Sequence, residues 1–284
     1  MTPSELELAL PQGRLAVRCW GDADKPPLLA LHGWLDNAGS FDALAPRLAA
    51  RWQVIAPDLR GHGHSSHIPQ GAWYHYVDYF DDLHALAAHF GGARIDLLGH
   101  SLGGTLASLY AALYPERVGT LLLVEALGPL TTTLEDALPQ LRRALDQHAA
   151  FAARRPLRVF ATLDEAIEAR MRANDLPEAA ARALVERGVS AVAGGFVWSS
   201  DPRLTLASPQ RYDEDQVLAM LGAIRARTLL VLARPATSYL PDAMMAARAA
   251  RVADIRIVRL DGGHHLHLTQ APAVAEAISE FASG

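Results

Sequence analysis

The chain has 284 residues, 50% of them hydrophobic and 20% charged, with a formal net charge of −5. That length holds one large α/β domain with an insertion, and mild acidity without a long basic run argues against nucleic acid as a main partner. Cys19 is the one cysteine and has no partner for an internal disulfide, which fits a reducing compartment. Glu5 and Glu7 stand where a secretory signal would carry basic residues. Runs such as Thr120–Val124 and Thr228–Ala233 are far too short to span a bilayer. A cytoplasmic protein that does not insert into membranes is therefore expected.

The chain opens with two alternating stretches, Glu5–Leu10 and Arg14–Trp20, joined at Pro11-Gln12-Gly13, which predict an antiparallel strand pair. Short apolar runs bounded by turn residues follow at Leu28–Leu31, Gln53–Ala56, Arg94–Leu98, Thr120–Val124, Thr228–Leu232 and Ile255–Leu260. Helical patterns lie between or after them at Phe41–Ala50, Tyr76–Phe90, Leu102–Tyr114, Pro241–Arg251 and Pro272–Phe281. Such alternation predicts a mostly parallel sheet covered by helices on both faces. It breaks between about Gly128 and Pro209, where helices at Leu134–Ala149, Leu163–Asn174 and Pro177–Arg187 precede a stretch containing Gly, Trp and Pro. The expected division is a core of residues 1–127 and 210–284, with 128–209 as a helical insertion over the strand ends.

Chemistry concentrates at Gly99-His100-Ser101-Leu102-Gly103. This G-x-S-x-G pentapeptide follows a strand and opens a helix, the context in which a serine sits on a strained turn with its hydroxyl exposed. A serine merely capping a helix is the bland alternative. A serine nucleophile needs a base, and Asp261-Gly262-Gly263-His264-His265-Leu266-His267 supplies candidates after the last strand. His264, directly after the glycine pair, is preferred. His265 is second, and His267 is expected to pack at the start of the terminal helix. Two N–H donors are needed for an oxyanion. Leu102 offers one, and Trp34 in His32-Gly33-Trp34-Leu35-Asp36 offers the other, its side chain walling the pocket.

The pieces His32-Gly33-Trp34, Pro57-Asp58-Leu59-Arg60-Gly61-His62-Gly63-His64-Ser65, Gly99-His100-Ser101-Leu102-Gly103-Gly104 and Gly262-Gly263-His264 together resemble the α/β-hydrolases over nearly the whole chain. Within them, Trp34-Leu35-Asp36-Asn37-Ala38, Gly263-His264-His265-Leu266-His267-Leu268 and Asp201-Pro202-Arg203-Leu204 are similar to the serum-hydrolase-like branch. The resemblance implies an eight-stranded sheet, a helical cap at 128–209, and serine hydrolysis without a cofactor or metal.

The chain departs from that pattern at the triad acid. After Thr228–Leu232 it continues Ala233-Arg234-Pro235-Ala236-Thr237-Ser238, with no carboxylate before Asp242. Certain haloalkane dehalogenases in the superfamily place the acid after the strand corresponding to Thr120–Val124, and here that strand ends in Glu125. A carboxylate buried there needs a partner, and the His264 imidazole would be one. Glu125 is preferred as the acid, with Asp242, or no functional acid, as alternatives.

His62, His64 and His67 invite a metal reading, but they fall in the family loop and are read as structural, with Asp58 and Arg60 bracing it. Arg234 is expected to face solvent. Trp34, Phe196 and Trp198, with Met171 and Leu204, are candidates for an apolar pocket. The expected function is a serine carboxylesterase with a small-molecule ester-like substrate. A carbon–carbon bond hydrolase and a non-catalytic ligand-binding protein are the rivals.

Overall fold

In a computed structural model that describes residues 1–153 and 157–284, an N-terminal strand pair is followed by strands that alternate with helices. The order is β1 (Ser4–Leu10), β2 (Gly13–Trp20), β3 (Pro27–Leu31), α1 (Ala45–Leu48), β4 (Gln53–Pro57), α2 (Tyr79–Phe90), β5 (Ile95–His100), α3 (Leu102–Leu113) and β6 (Val118–Val124). After an excursion through α4 (Ala137–Ala149), α5 (Leu163–Asn174), α6 (Glu178–Gly188), β7 (Val189–Val192) and β8 (Gly195–Trp198), the chain returns by α7 (Glu214–Leu221). It ends with β9 (Arg227–Arg234), α8 (Asp242–Ala249), β10 (Ile255–Asp261), α9 (Leu266–Thr269) and α10 (Ala271–Ser283).

Among the described residues, eight strands form one sheet in the order β1-β2-β4-β3-β5-β6-β9-β10. The pairs β1–β2 and β2–β4 are antiparallel, and the others are parallel. The period of two along each strand sorts the apolar residues between two cores. Leu29, Leu31, Leu97, Leu121, Leu123 and Leu230 face α2 and α3. Their neighbours Leu28, Ala30, Leu98, Leu122, Leu229 and Val231 face Phe41, Val274 and Ile278 on the other side. Both faces are therefore dry, which is why the central strands read as unbroken apolar runs.

One local expectation changes, and two further features were not anticipated. The stretch read as a helix over Phe41–Ala50 is a 3-10 turn at Ala38–Phe41 followed by the four-residue α1, with Pro46 in its first turn. Proline there has no N–H to give to a preceding turn, so the helix cannot run through it. Helix α7, not anticipated, is announced by a capping box in which Asp213 and Gln216 each bond the other's backbone N–H. The Gly/Trp stretch forms the β7–β8 hairpin, which turns at Ala193-Gly194 with Gly194 at φ +87.

The excursion between β6 and β9 has its own small core of Phe160, Ile167, Leu184 and Val185 with Trp198. Two buried ion pairs fasten it to the sheet. Arg170 of α5 pairs with Asp36. Arg187 of α6 donates from Nε to both Asp58 oxygens at 2.9 and 3.0 Å, and from Nη1 to Glu5 of β1 at 2.8 Å. Asp58 also accepts from the N–H groups of Ala38 and His64 at 2.8 and 2.7 Å, and Arg60 pairs with Asp82, so the loop is braced as expected. Among the described residues no helix is long and apolar enough to cross a membrane.

Breaking one half of a buried pair leaves an uncompensated charge. Asp58→Asn is expected to lower the free energy of unfolding by about 3–5 kcal/mol in urea titrations. Glu5→Gln, at the half-exposed end of the same arginine, should cost about 1 kcal/mol or less.

Candidate active site

The turn between β5 and α3 holds Ser101 at φ +50 and ψ −114, a conformation costly for a residue with a Cβ. Hydrogen bonds on both sides over-determine it. Ser101 N–H donates to Val124 C=O at 3.2 Å, and Ser101 C=O accepts from Thr105 N–H at 2.9 Å. The turn requires close backbone approach, since a Cβ on Gly103 would lie 2.0 Å from the Leu31 carbonyl oxygen. Leu102 is the first residue of α3, so its N–H has no partner four residues back and lies at the positive end of the helix.

Glu125 follows β6 and is likewise in the left-handed region, at φ +54. It is 2% exposed. Its Oε1 accepts from Ala233 N–H at 2.5 Å, and its Oε2 accepts from Thr237 Oγ1 at 3.4 Å. The same Oε2 lies 3.2 Å from Nδ1 of His264. Asp242 instead lies at the start of α8, 65% exposed, paired with Arg259 at 2.8 Å. Of the two carboxylates weighed from sequence, the structure brings Glu125 to the imidazole and leaves Asp242 outside.

Ser101, Glu125, His264, Trp34 and Leu102 line one cavity of about 620 Å³. The Ser101 hydroxyl and the imidazole share it without a direct hydrogen bond, as is common for nucleophile and base before substrate binds. Trp34 is 52% exposed, and its indole Nε1 donates to Leu204 C=O at 2.9 Å, spanning from the β3 loop to the excursion. Leu204 lines the cavity too.

Phe196 and Trp198 do not. Phe196 exchanges backbone hydrogen bonds with Phe160 at 2.8 Å, and the Trp198 ring meets Phe160 edge-on at 5.1 Å. Both belong to the packing of the excursion, as does Met171. The aromatic lining comes instead from Trp73, Tyr74, Tyr76 and Tyr239, and Trp73 stacks on His148 of α4 at 4.1 Å. The aromatic run Trp73-Tyr74-His75-Tyr76 was the sequence signal for this wall. Arg234 is exposed and paired with Asp261 at 2.6 Å, as expected of a solvent-facing residue.

The histidines divide by environment. His32 donates from Nδ1 to Gly33 C=O at 2.8 Å and accepts at Nε2 from Leu59 N–H at 2.9 Å, so it is held as one neutral tautomer. His62 packs edge-on against it at 5.0 Å and bonds Arg60 C=O at 3.1 Å. Neither converges with His64 or His67 on a common point. The one group of metal-ligand side chains that does converge among the described residues is Asp36, His100 and His267. His265, the second choice as base, has its Nε2 3.7 Å from Asp36.

The profile of the alpha/beta hydrolase fold family matches residues 26–271. The chain belongs to that family and is a hydrolase. A serine hydrolase-like protein of Danio rerio is 35% identical over 287 residues, which cover 98% of this chain and 88% of the relative. The crystal structure of a hypothetical protein from Pseudomonas aeruginosa PAO1 superposes with a TM-score of 0.92 at 38% identity, covering 99% of each chain. A thioesterase domain from the curacin biosynthetic pathway follows at a TM-score of 0.85 and 28% identity, covering 98% of this chain and 100% of that one.

Burial pushes His62 down to about 3 and also lowers His32 from the ordinary value of 6.5. The unfolded chain takes up these protons below about pH 6.5 while the folded one refuses them. The contribution of His62 to stability is therefore complete above that pH and is lost as pH falls toward 3, at about 1.4 kcal/mol per pH unit, with His32 acting in the same direction. Unfolding free energies measured between pH 7 and 4.5 should show this slope, reduced by about one proton in His62→Gln.

Proposed function

We propose that the protein is a serine carboxylesterase that hydrolyses small to medium acyl or aryl esters through an acyl-enzyme. The observation that carries this reading is the His264–Glu125 hydrogen bond in the cavity that holds Ser101 on its strained turn. With Nδ1 bonded to Glu125, Nε2 is the imidazole nitrogen free to serve the serine. Ser101 Oγ attacks the ester carbonyl carbon and gives its proton to Nε2. The N–H groups of Leu102 and Trp34 receive the oxyanion. When the carbon–oxygen bond breaks, the alcohol leaves with the proton from Nε2. Water then repeats the sequence on the acyl-enzyme, losing its proton to His264 and releasing the acid and Ser101.

Residues 128–209 act as the cap. His148, Asn174 and the stretch from Arg203 to Ser208 contribute to the cavity wall. A cavity of about 620 Å³ suits a small-molecule substrate, and its aromatic lining favours an apolar acyl or aryl group. The likeness to a thioesterase domain supports the same acyl-enzyme with a thiol as leaving group.

Glu125→Gln should leave the fold intact and lower kcat by about 10³–10⁴-fold, because the imidazole loses the carboxylate that holds its tautomer and supports its charge. Asp242→Asn should leave kcat unchanged, and the reverse pattern would transfer the acid role to Asp242. Steady-state hydrolysis of p-nitrophenyl esters of increasing acyl length, beside the matching thioesters, tests the reaction itself. Turnover that disappears in Ser101→Ala is expected, with an optimum that sizes the acyl pocket. Turnover of diketones without esters would replace the reading by carbon–carbon bond hydrolysis, and no turnover of any of these by ligand binding.

A further inference from the structure

Behind His264 lies a group of side chains that the esterase chemistry does not use. Asp36, His100 and His267 are 2%, 1% and 0% exposed. Each can present one ligand atom within 4.8 Å of the other two. In each, the far side is held and the near side is unpartnered. His100 donates from Nε2 to His264 C=O at 2.9 Å. His267 bonds Ser40 Oγ through Nε2 at 2.6 Å. Asp36 Oδ1 is held by Arg170. Asp36 Oδ2, His100 Nδ1 and His267 Nδ1 have no hydrogen-bond partner among the described residues.

Hydrogen-bond directions sharpen the point. A neutral His100 that donates from Nε2 has a lone pair at Nδ1, which then faces carboxylate oxygen Oδ2 at 3.7 Å. If His267 donates to Ser40 in the same way, its Nδ1 is a third lone pair. Two lone pairs and a carboxylate oxygen are acceptors only, and a water has two hydrogens for the three of them. A metal cation satisfies all three, and imidazoles whose other N–H is fixed by an oxygen are the usual form of metal-bound histidine. The 3.7 Å between His100 Nδ1 and Asp36 Oδ2 is near the edge of about 3.4 Å expected for a tetrahedral site with bonds of about 2.1 Å, and all three atoms lie within 4.8 Å of one another.

The backbone leaves room at the same corner. A Cβ on Gly33 would lie 2.8 Å from His100 Nδ1 and 3.0 Å from Asp36 Oδ2. Gly33, Asp36, His100 and His265 also line the substrate cavity, which gives an ion a way in.

We propose that Asp36, His100 and His267 form a three-residue binding site for a transition-metal dication of the zinc class at the floor of the cavity.

The full chain, stripped with chelator and titrated with Co²⁺ and Zn²⁺, tests this by equilibrium dialysis, metal analysis and the visible spectrum of the Co²⁺ form. One equivalent with a four-coordinate Co²⁺ spectrum is expected, displaced by Zn²⁺. His267→Gln should abolish it. Gly33→Ala, which places a methyl group beside two ligand atoms, should weaken it at least tenfold. Ser40→Ala, which touches no ligand atom, should weaken it by about 10–100-fold. His264→Ala should keep the Co²⁺ spectrum, which separates this site from adventitious binding at the catalytic imidazole. Failure of the wild type to bind an equivalent would overturn the proposal, as would binding that survives Gly33→Ala and Ser40→Ala or is lost in His264→Ala.

Discussion

The close approach of helix α3 to strand β3 is the constraint on which the site depends. Gly103 sits so near the Leu31 carbonyl that no side chain fits between them. That contact draws the start of the helix down onto the sheet and forces the chain to reverse within the single residue Ser101. Ser101 and Leu102 are brought to the cavity wall as one consequence. Gly103 N–H donates to His32 C=O at 3.0 Å, so the same contact anchors the loop that carries Trp34. The strain at Ser101 is thus borne by main-chain hydrogen bonds rather than by loose side-chain contacts.

A second order of organisation is electrostatic. The two carboxylates Asp36 and Asp58 sit in the loops after β3 and β4, and each is met by an arginine from the excursion, Arg170 and Arg187. Charges buried this deeply are retained only with a partner. The excursion is therefore registered on the sheet at two fixed points. The Trp73–His148 stack, whose two rings line the cavity, is a further contact between the excursion and the core.

All eight strands of the sheet are legible in the sequence, the central ones because strands buried on both faces are short unbroken apolar runs and β1 and β2 because they alternate. The G-x-S-x-G turn and the glycine pair before His264 are legible for the same kind of reason, since their backbone demands limit which residues can stand there. Glu125 is legible only indirectly, as an acid where an apolar strand ends. Its left-handed backbone and its bond to Ala233 N–H are tertiary facts. The pocket wall is where reading fails. Phe196 and Trp198 have the composition of a substrate pocket, but pairing of Phe196 with Phe160 turns that strand into the excursion's own core. The aromatic run at Trp73–Tyr76 has no periodicity to mark its direction, and only packing against α4 decides it.

Trp34 belongs to two machines at once. It lines the cavity that holds the serine, and its indole is tied to Leu204 in the excursion at 2.9 Å. A movement of the excursion large enough to widen the cavity must break that bond or drag the loop with it. The width of the cavity and the position of the loop after β3 are thereby tied together through one side chain.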